Sequence, residues 1–460
     1  MQQTFWRFAI GLVAVIWCAA CAEQAGMTTA PPRGKALRIG AILPLSGKYR
    51  VYGEATLHGI ECAAGKQTPC NSPIPIELHV KDSGGDPSRA ASAVTELVQE
   101  HQVAGIIGPL LSRTVEAAAG RAQELKVPLI SLSQRDGIAE IGNYIFRVGL
   151  NAASQVETIA RYAVKERGWK KIAIVYPENT YGETLRTYFR NAATALGASI
   201  VAEKGYAAGI ANIVEARHEG GEADEAAKAR PKPGSLSTSG EVVPLAASEA
   251  ALPVVPRVRG AEAVFMPDSY RSLLTLLKLG GSDIFGGAVL LGGSRWNSAG
   301  LLAAGDRVEG AVFVDAFFPR GADVPTQQFV RTFAEAYRIE PTLLEAQAFD
   351  AVRLFIRAAQ DARSRAPANV RDALARTKNV AGVTGRISFN AEGDAIKQLH
   401  LLTVRAGAIQ QIEAPSRPVT QSAIGRSARR AAPAGTDPKY DIGGPAESSI
   451  PPLTERDKYE

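Results

Sequence analysis

The chain has 460 residues and is poor in the residue types that build metal and nucleophile sites. It carries five histidines, four cysteines and three methionines. His58, His79, His101, His218 and His400 fall in no HExxH or comparable metal spacing. No GxSxG nucleophile elbow occurs. Gly105-Ile106-Ile107-Gly108 is not followed by the Gly-Lys-Ser/Thr of a phosphate loop. These gaps set aside the common metal-hydrolase, serine-hydrolase and P-loop chemistries. No metal, no cofactor and no enzymatic activity is expected. Charge of one sign is not concentrated either. With 52 Lys+Arg against 46 Asp+Glu the net charge is +6, and the basic residues are scattered. The densest group, Arg426, Arg429 and Arg430, lies near the C-terminal end. A nucleic-acid partner is therefore not expected. Beyond residue 20 no run is long and apolar enough for a membrane span of ~20 residues.

What is present is an ordinary globular composition, 46% hydrophobic, 21% charged and 7% aromatic. It is preceded by an apolar leader. Arg7 gives the leader a basic start, and Phe8 to Ala20 is an unbroken apolar or small-residue run. That run suits a secretory h-region and is short for a membrane span. Ala19-Ala20-Cys21 resembles a bacterial lipobox, with Cys18 standing where Leu, Val or Ile is usual. The resemblance implies removal of residues 1–20 as a signal peptide and lipidation of Cys21. The protein is then expected in the periplasm or cell envelope, lipid-anchored to a membrane. About 440 residues remain, enough for two domains of ~100–200 residues.

Cys62 and Cys70 remain as a pair around a seven-residue loop. In an oxidising compartment such a pair reads as a disulfide, worth roughly 2–3 kcal/mol for a loop this short. A metal site would need further ligands, and only His58 is near in sequence.

From Ala36 short apolar or β-branched runs alternate with amphipathic helical patterns. Strands are expected at 36–45, 76–81, 103–109, 127–133 and 144–148, with helices at 54–64, 87–100 and 114–125. A second series places strands at 171–176, 199–204, 261–266 and 288–292, with helices at 182–195 and 269–279. Further on, 310–318, 386–389 and 399–404 read as strands and 326–337 and 343–362 as helices. Strands alternating with helices of this length predict βαβ units and parallel sheets. Between Tyr206 and Gly260 the periodicity breaks into charged, Ala-rich and Pro/Gly/Ser-rich stretches, read as a flexible insertion at 207–259. The Pro-, Ala-, Ser- and Arg-rich tail at 413–460 is expected to be disordered.

Five motifs occur in order. They are Ile39-Gly40-Ala41-Ile42-Leu43-Pro44-Leu45-Ser46-Gly47 with Tyr52-Gly53-Glu54; Gly108-Pro109-Leu110-Leu111-Ser112; Val127-Pro128-Leu129-Ile130-Ser131; Tyr176-Pro177 with Tyr181-Gly182; and Gly382-Val383-Thr384-Gly385-Arg386-Ile387-Ser388-Phe389 with Gly393-Asp394. Together they resemble type I periplasmic binding proteins, including the leucine/isoleucine/valine-binding proteins of ABC importers, over about 36–412. The resemblance implies two Rossmann-like α/β lobes joined by three crossovers, with a ligand cleft between them. One lobe would hold 36–149 and 297–392, the other 150–296 and 393–412. It also implies capture of an amino acid or related small ligand for an ABC permease. Outer-membrane lipoproteins that activate penicillin-binding proteins, and so regulate peptidoglycan synthesis, resemble the same family. Pro44-Leu45-Ser46-Gly47, Arg135 and Trp296-Asn297-Ser298 look somewhat like those activators. That alternative makes a penicillin-binding protein the partner.

The expected ligand-binding residues are Tyr52, Ser112, Ser133, Arg135, Tyr181 and Asp268. Ser112 falls at a helix N-terminus, where exposed N–H groups and the helix dipole favour an anion. Its hydroxyl either caps that helix or serves the ligand. Ser133 and Arg135 follow a strand at the carboxyl edge where open α/β sheets bind ligands. By the family pattern Ser133 matches a small residue, while Arg135 replaces a Thr. Arg135 can grip a carboxylate with two bonds, fill the pocket or point to solvent. Tyr52 and Tyr181 match cleft aromatics. Asp268 falls where the family carries the acid that pairs with a ligand ammonium, and it is equally a candidate helix N-cap. Trp296 either walls the cleft or packs in the core.

Overall fold

The computed structural model describes residues 36–211, 254–281 and 283–412. The leader with Cys21, most of the expected insertion and the tail from 413 lie outside the described residues.

The first sheet has five strands: β1 (Leu37–Leu43), β2 (Ile76–Asp82), β3 (Gly105–Ile107), β4 (Leu129–Ser131) and β5 (Ile145–Arg147). Their order is β2-β1-β3-β4-β5 and every pairing is parallel. β3, β4 and β5 are buried along their whole length, as a parallel sheet covered on both faces requires. One face is covered by α1 (Arg50–Ala63), and the other by α2 (Pro87–Gln99) and α3 (Ser112–Glu124). Asp86 caps α2 through the Arg89 N–H, and Pro87 supplies the first helical residue.

The second sheet is larger. β6 (Lys171–Pro177), β7 (Ser199–Tyr206), β8 (Ala263–Phe265), β9 (Val289–Gly292) and β10 (Val312–Asp315) run parallel. The antiparallel strands β14 (His400–Arg405) and β15 (Ala408–Gln411) complete it. The order is β15-β14-β10-β9-β8-β6-β7. Its helices are α4 (Ala152–Arg161), α5 (Thr180–Ala195) and α6 (Tyr270–Gly280), capped by Asn151, Asn179 and Ser269. Helix α4 is absent from the sequence expectation.

A second group of helices closes the first lobe: α7 (Val324–Tyr337), α8 (Leu343–Ala362) and α9 (Pro367–Ala375). α8 is started by a reciprocal capping box between Thr342 and Glu345. It lies directly on α1. A Cβ at Gly59 would stand 2.3 Å from the Glu345 carbonyl oxygen, so only glycine permits this approach. A small antiparallel sheet of β11 (Val380–Gly382), β12 (Gly385–Phe389) and β13 (Ala395–Ile396) packs Ile387 and Phe389 into the same core. Cys62 and Cys70 form a disulfide beside Phe329 and Phe333 of α7.

The chain thus forms two α/β lobes linked at 148–151, 316–323 and 397–399. Two expected boundaries move. β10 pairs with β9 and β14, so the chain stays in the second lobe to Asp315 rather than leaving at 297. β13 pairs with β12 in the first lobe, so the last crossover follows Ile396 rather than 392. The insertion also shrinks: Ile210 and Val258 are buried in the second-lobe core, which corrects its expected limits of 207 and 259.

Arg147 pins the first crossover. Its guanidinium is 1% exposed, donates to Asp394 Oδ1 at 2.6 Å and Asp136 Oδ1 at 3.0 Å, and reaches the carbonyls of Gln134 and Arg135. Burial opposes its charge, but the two carboxylates outweigh that and raise its pKa.

Candidate functional site

The six expected residues fall into three places. Ser112, Ser133 and Arg135 meet at the carboxyl edge of the first sheet. Ser112 is the first residue of α3, and Leu111 is the N-cap. No side-chain cap bond forms there, so the capping alternative is set aside. The Ser112 hydroxyl instead lies 3.4 Å from the Ser133 hydroxyl. Ser133 is fully buried, and its oxygen accepts the Arg135 N–H at 3.2 Å. Arg135 turns back onto its own lobe. It bridges to Glu116 at 2.8 Å and donates to the Ser112 carbonyl at 3.3 Å. This wall therefore presents the half-buried Ser112 hydroxyl beside a helix N-terminus, which favours an anion, with the buried Ser133 behind it.

Tyr52 is elsewhere. It is 7% exposed and packs in the first-lobe core, with its carbonyl accepting from the Thr56 hydroxyl.

Tyr181 and Asp268 meet on the second lobe, where they line one small pocket. The pocket sits beyond the carboxyl ends of β8 and β9, the usual ligand position of an open α/β sheet. Apolar Val156, Ile159, Leu185 and Phe265 form its body. Polar groups gather at one end. Asp268 Oδ2 accepts the Tyr206 hydroxyl at 2.7 Å, and Oδ1 accepts the Ser269 N–H at 2.7 Å. Arg295 Nη1 stands 3.7 Å from Oδ1. The Arg295 guanidinium lies over the Tyr181 ring at 4.8 Å, within cation–π range. Burial first, and the Asp268 charge second, hold the Tyr206 phenol well above its ordinary pKa, so it remains a donor. Burial likewise raises the Tyr181 phenol.

Ser269, not Asp268, is the N-cap of α6, its hydroxyl accepting the Ser272 N–H. Trp296 belongs to the core. It is fully buried, and its indole N–H donates to the Asp268 carbonyl at 2.9 Å. Gly292 makes this possible, because a Cβ there would fall 2.2 Å from the indole.

Three residues escaped the sequence reading: Arg295 and Gln155, which line the pocket, and Tyr206, which bonds Asp268 from behind it. Tyr206 ends β7 at the ligand edge of the sheet, a position that would have marked it. Arg295 follows the Gly292-Gly293 turn. Gln155, which accepts the Ser294 N–H at 3.0 Å, carries no sequence signal because the start of α4 was not recognised. Among the described residues no cluster of three or more His, Cys, Asp or Glu is placed to hold a metal ion. Among them, too, no helix is long and apolar enough to cross a membrane.

Two α/β lobes linked three times, with polar groups gathered at the carboxyl edges of both sheets, define a two-lobed ligand-binding protein. The chain belongs to the periplasmic binding protein family, whose model matches residues 36–408. Membership implies an extracytoplasmic ligand-binding protein, in a family that is in general non-enzymatic. Solved structures agree on the fold. A leucine-binding protein from Thermotoga maritima is 22% identical, with a TM-score of 0.59 over 82% of this chain and 98% of that one. A branched-chain amino acid transporter substrate-binding protein from Streptococcus pneumoniae, solved with isoleucine, is 23% identical, with a TM-score of 0.60 over 82% and 99%. Among curated proteins, Glutamate receptor 2.7 of Arabidopsis thaliana is 34% identical over 110 residues. That match spans 24% of this chain and only 11% of the receptor.

Proposed function

We propose that this chain is a lipid-anchored, extracytoplasmic solute-binding protein that captures an amino acid or related small ligand between its lobes and delivers it to an ABC permease. The observation that carries this reading is the second-lobe pocket, where Tyr181, Asp268 and Arg295 meet at the sheet edge above an apolar floor. On the first lobe Ser112, backed by the buried Ser133, supplies a hydroxyl beside a helix N-terminus. Closure of the hinged lobes would bring both walls to the ligand and signal occupancy to the permease.

A thermal-shift screen of the full-length chain against amino acids, small organic acids, peptides and cell-wall fragments tests it. Ligand at 100 times its Kd stabilises by roughly 2.7 kcal/mol, an easily measured shift. Ser112→Ala and Asp268→Ala should each change the affinity of the hit. If no solute shifts the chain, the reading fails, and direct binding to a penicillin-binding protein becomes the experiment to make.

A further inference from the structure

We propose that Asp315 and Asn297 form a proton-operated strap on the second crossover: the charged carboxylate fastens the crossover to the second lobe, and its protonation lets go. The inference does not depend on which solute the protein binds.

The strap is built from four hydrogen bonds. Asn297, in the turn after β9, uses its amide nitrogen twice. Nδ2 donates to Asp315 Oδ2 at 2.8 Å and to the Phe317 carbonyl at 2.9 Å. Asp315 Oδ1 accepts the Ala316 N–H at 2.6 Å and the Phe317 N–H at 3.4 Å. Residues 316 and 317, the first of the crossover, are thereby tied to the second lobe. Their side chains then divide between the lobes. The Phe318 ring lies in the second-lobe core, whereas the Phe317 ring packs beside Phe329 of α7, in the first-lobe cluster around the disulfide. The strap thus grips the backbone of a residue whose side chain belongs to the other lobe.

One proton undoes this arrangement. An ionised carboxylate only accepts hydrogen bonds, and an amide nitrogen only donates them. Oδ1 faces two N–H groups, so an added proton goes on Oδ2, opposite Asn297 Nδ2. Two donors then face each other. If the Asn297 amide turns over to offer its oxygen, that oxygen also meets the Phe317 carbonyl, and the bond to Phe317 is lost. The N–H bonds to Oδ1 weaken as well, because bonds to a charged acceptor are roughly twice as strong. Asp315 is 3% exposed, so water does not stand in for the lost partner.

No neighbouring charge takes over. Alternation along β10 places Phe313 and Asp315 on the sheet face that carries α6, and Val312 and Val314 on the face that carries α4. The buried face of α4 is uncharged. On the α6 face the charged groups are Arg271, Lys278, Asp306 and Arg307, and none of them pairs with Asp315. In the crossover itself, Arg320 faces Glu340, and Asp323 caps α7. The register partner of Asp315 on β14 is His400, whose ring bonds Gln411 and is held towards its neutral form by burial, against the pull of Asp323. Burial opposes the charge on Asp315 and pushes its pKa up to about 7, against the three hydrogen-bond donors. The strap therefore changes state near neutrality.

Hydrogen exchange of the full-length chain, read by mass spectrometry and corrected for the intrinsic pH dependence of amide exchange, tests the strap. The two conditions are about pH 5.5 and about pH 8.5, on either side of the Asp315 titration. In the wild type, exchange across 316–322 should be roughly tenfold faster at the lower pH, with β6 and α2 unchanged. Asn297→Ala keeps Asp315 and removes the strap, so exchange there should be fast at both pH values. Asp315→Asn should behave alike. Should Asp315→Asn not fold, Asn297→Ala and the wild type still decide. Equal exchange across 316–322 at both pH values in the wild type would overturn the inference. So would a pH response undiminished by Asn297→Ala, which would move the sensor to His400.

Discussion

Tyr206 and Asp268 are 62 residues apart in sequence, yet the tyrosine hydroxyl meets the aspartate Oδ2 at 2.7 Å in the floor of the second lobe. The contact joins the end of β7 to the loop after β8, across the stretch that contains the insertion. It also determines how much of the Asp268 carboxylate is open to a ligand.

Tyr206→Phe tests that contact. Leaving a buried carboxylate short of one donor costs about 1–3 kcal/mol, read from the urea midpoint. The freed Oδ2 should also change the affinity of any solute that binds beside Asp268. A variant with unchanged stability and unchanged affinity would show that the contact does neither.

Gly292→Ala should displace Trp296, because the new Cβ would stand 2.2 Å from the indole. Overpacking of this kind costs about 1–3 kcal/mol. The near-ultraviolet circular dichroism of tryptophan should change, and ligand affinity should fall, since the Trp296 N–H holds the Asp268 carbonyl. Retention of the wild-type spectrum would place the strain elsewhere.

Asp394→Ala should be severe. It removes one of the two carboxylates facing the buried Arg147 guanidinium. Breaking a buried pair by deleting one partner costs about 3–5 kcal/mol. Chemical denaturation gives the value directly. A loss below 1 kcal/mol would mean that Asp136 and the loop carbonyls suffice.

Asp315 makes stability depend on pH. It lies at the end of β10, where the chain leaves the second lobe, and accepts from Asn297 at 2.8 Å and from the Ala316 N–H at 2.6 Å. Burial pushes its pKa up to about 7, against the hydrogen bonds that favour its charge. An unfolded aspartate titrates near 3.9. Between about pH 4 and 7 the folded chain therefore holds a proton that the unfolded chain has released. The contribution of Asp315 is favourable below pH 4, falls as pH rises, and levels off above about 7. Asp315→Asn should remove this slope. Its stability relative to wild type should climb from pH 5 to pH 8, measured by urea unfolding at each pH. Parallel profiles for the two proteins would refute the assignment.

Cys62→Ser with Cys70→Ser should lower stability by roughly 2–3 kcal/mol, from the loop-closure entropy of a short ring. Wild type under reducing conditions should match the double variant. A resistant midpoint would show that the packing of α1 against α7 already holds the loop.

Most elements were legible because they obey local rules. The apolar alternation of 37–43 and the Asp86-Pro87 start of α2 are written in adjacent residues, so the strand and the helix appear where expected. Helix α4 was not. Its start, Asn151-Ala152-Ala153-Ser154, holds the cap, and its apolar stripe of Val156, Ile159, Ala160 and Ala163 is made of few large side chains, so the signal is present but short. Of the six expected site residues, Ser112, Ser133 and Arg135 converge, as do Tyr181 and Asp268, while Tyr52 went into the core. The sequence placed Asp268 at a sheet edge but was silent on Tyr206 and Arg295, because neither lies within one turn or strand of it.

The sequence by itself determined the α/β alternation, the Cys62–Cys70 ring and the edge positions of the site residues, since each depends on neighbours a few residues away. Tertiary structure alone decided that β10 joins the second sheet, that Arg135 folds back onto Glu116, and that Asp268 is shared between a tyrosine and an arginine. Those outcomes depend on which distant groups the packed core brings within hydrogen-bond reach. Once buried, a charge takes whatever partner the fold supplies, because leaving it without one costs more than any local preference.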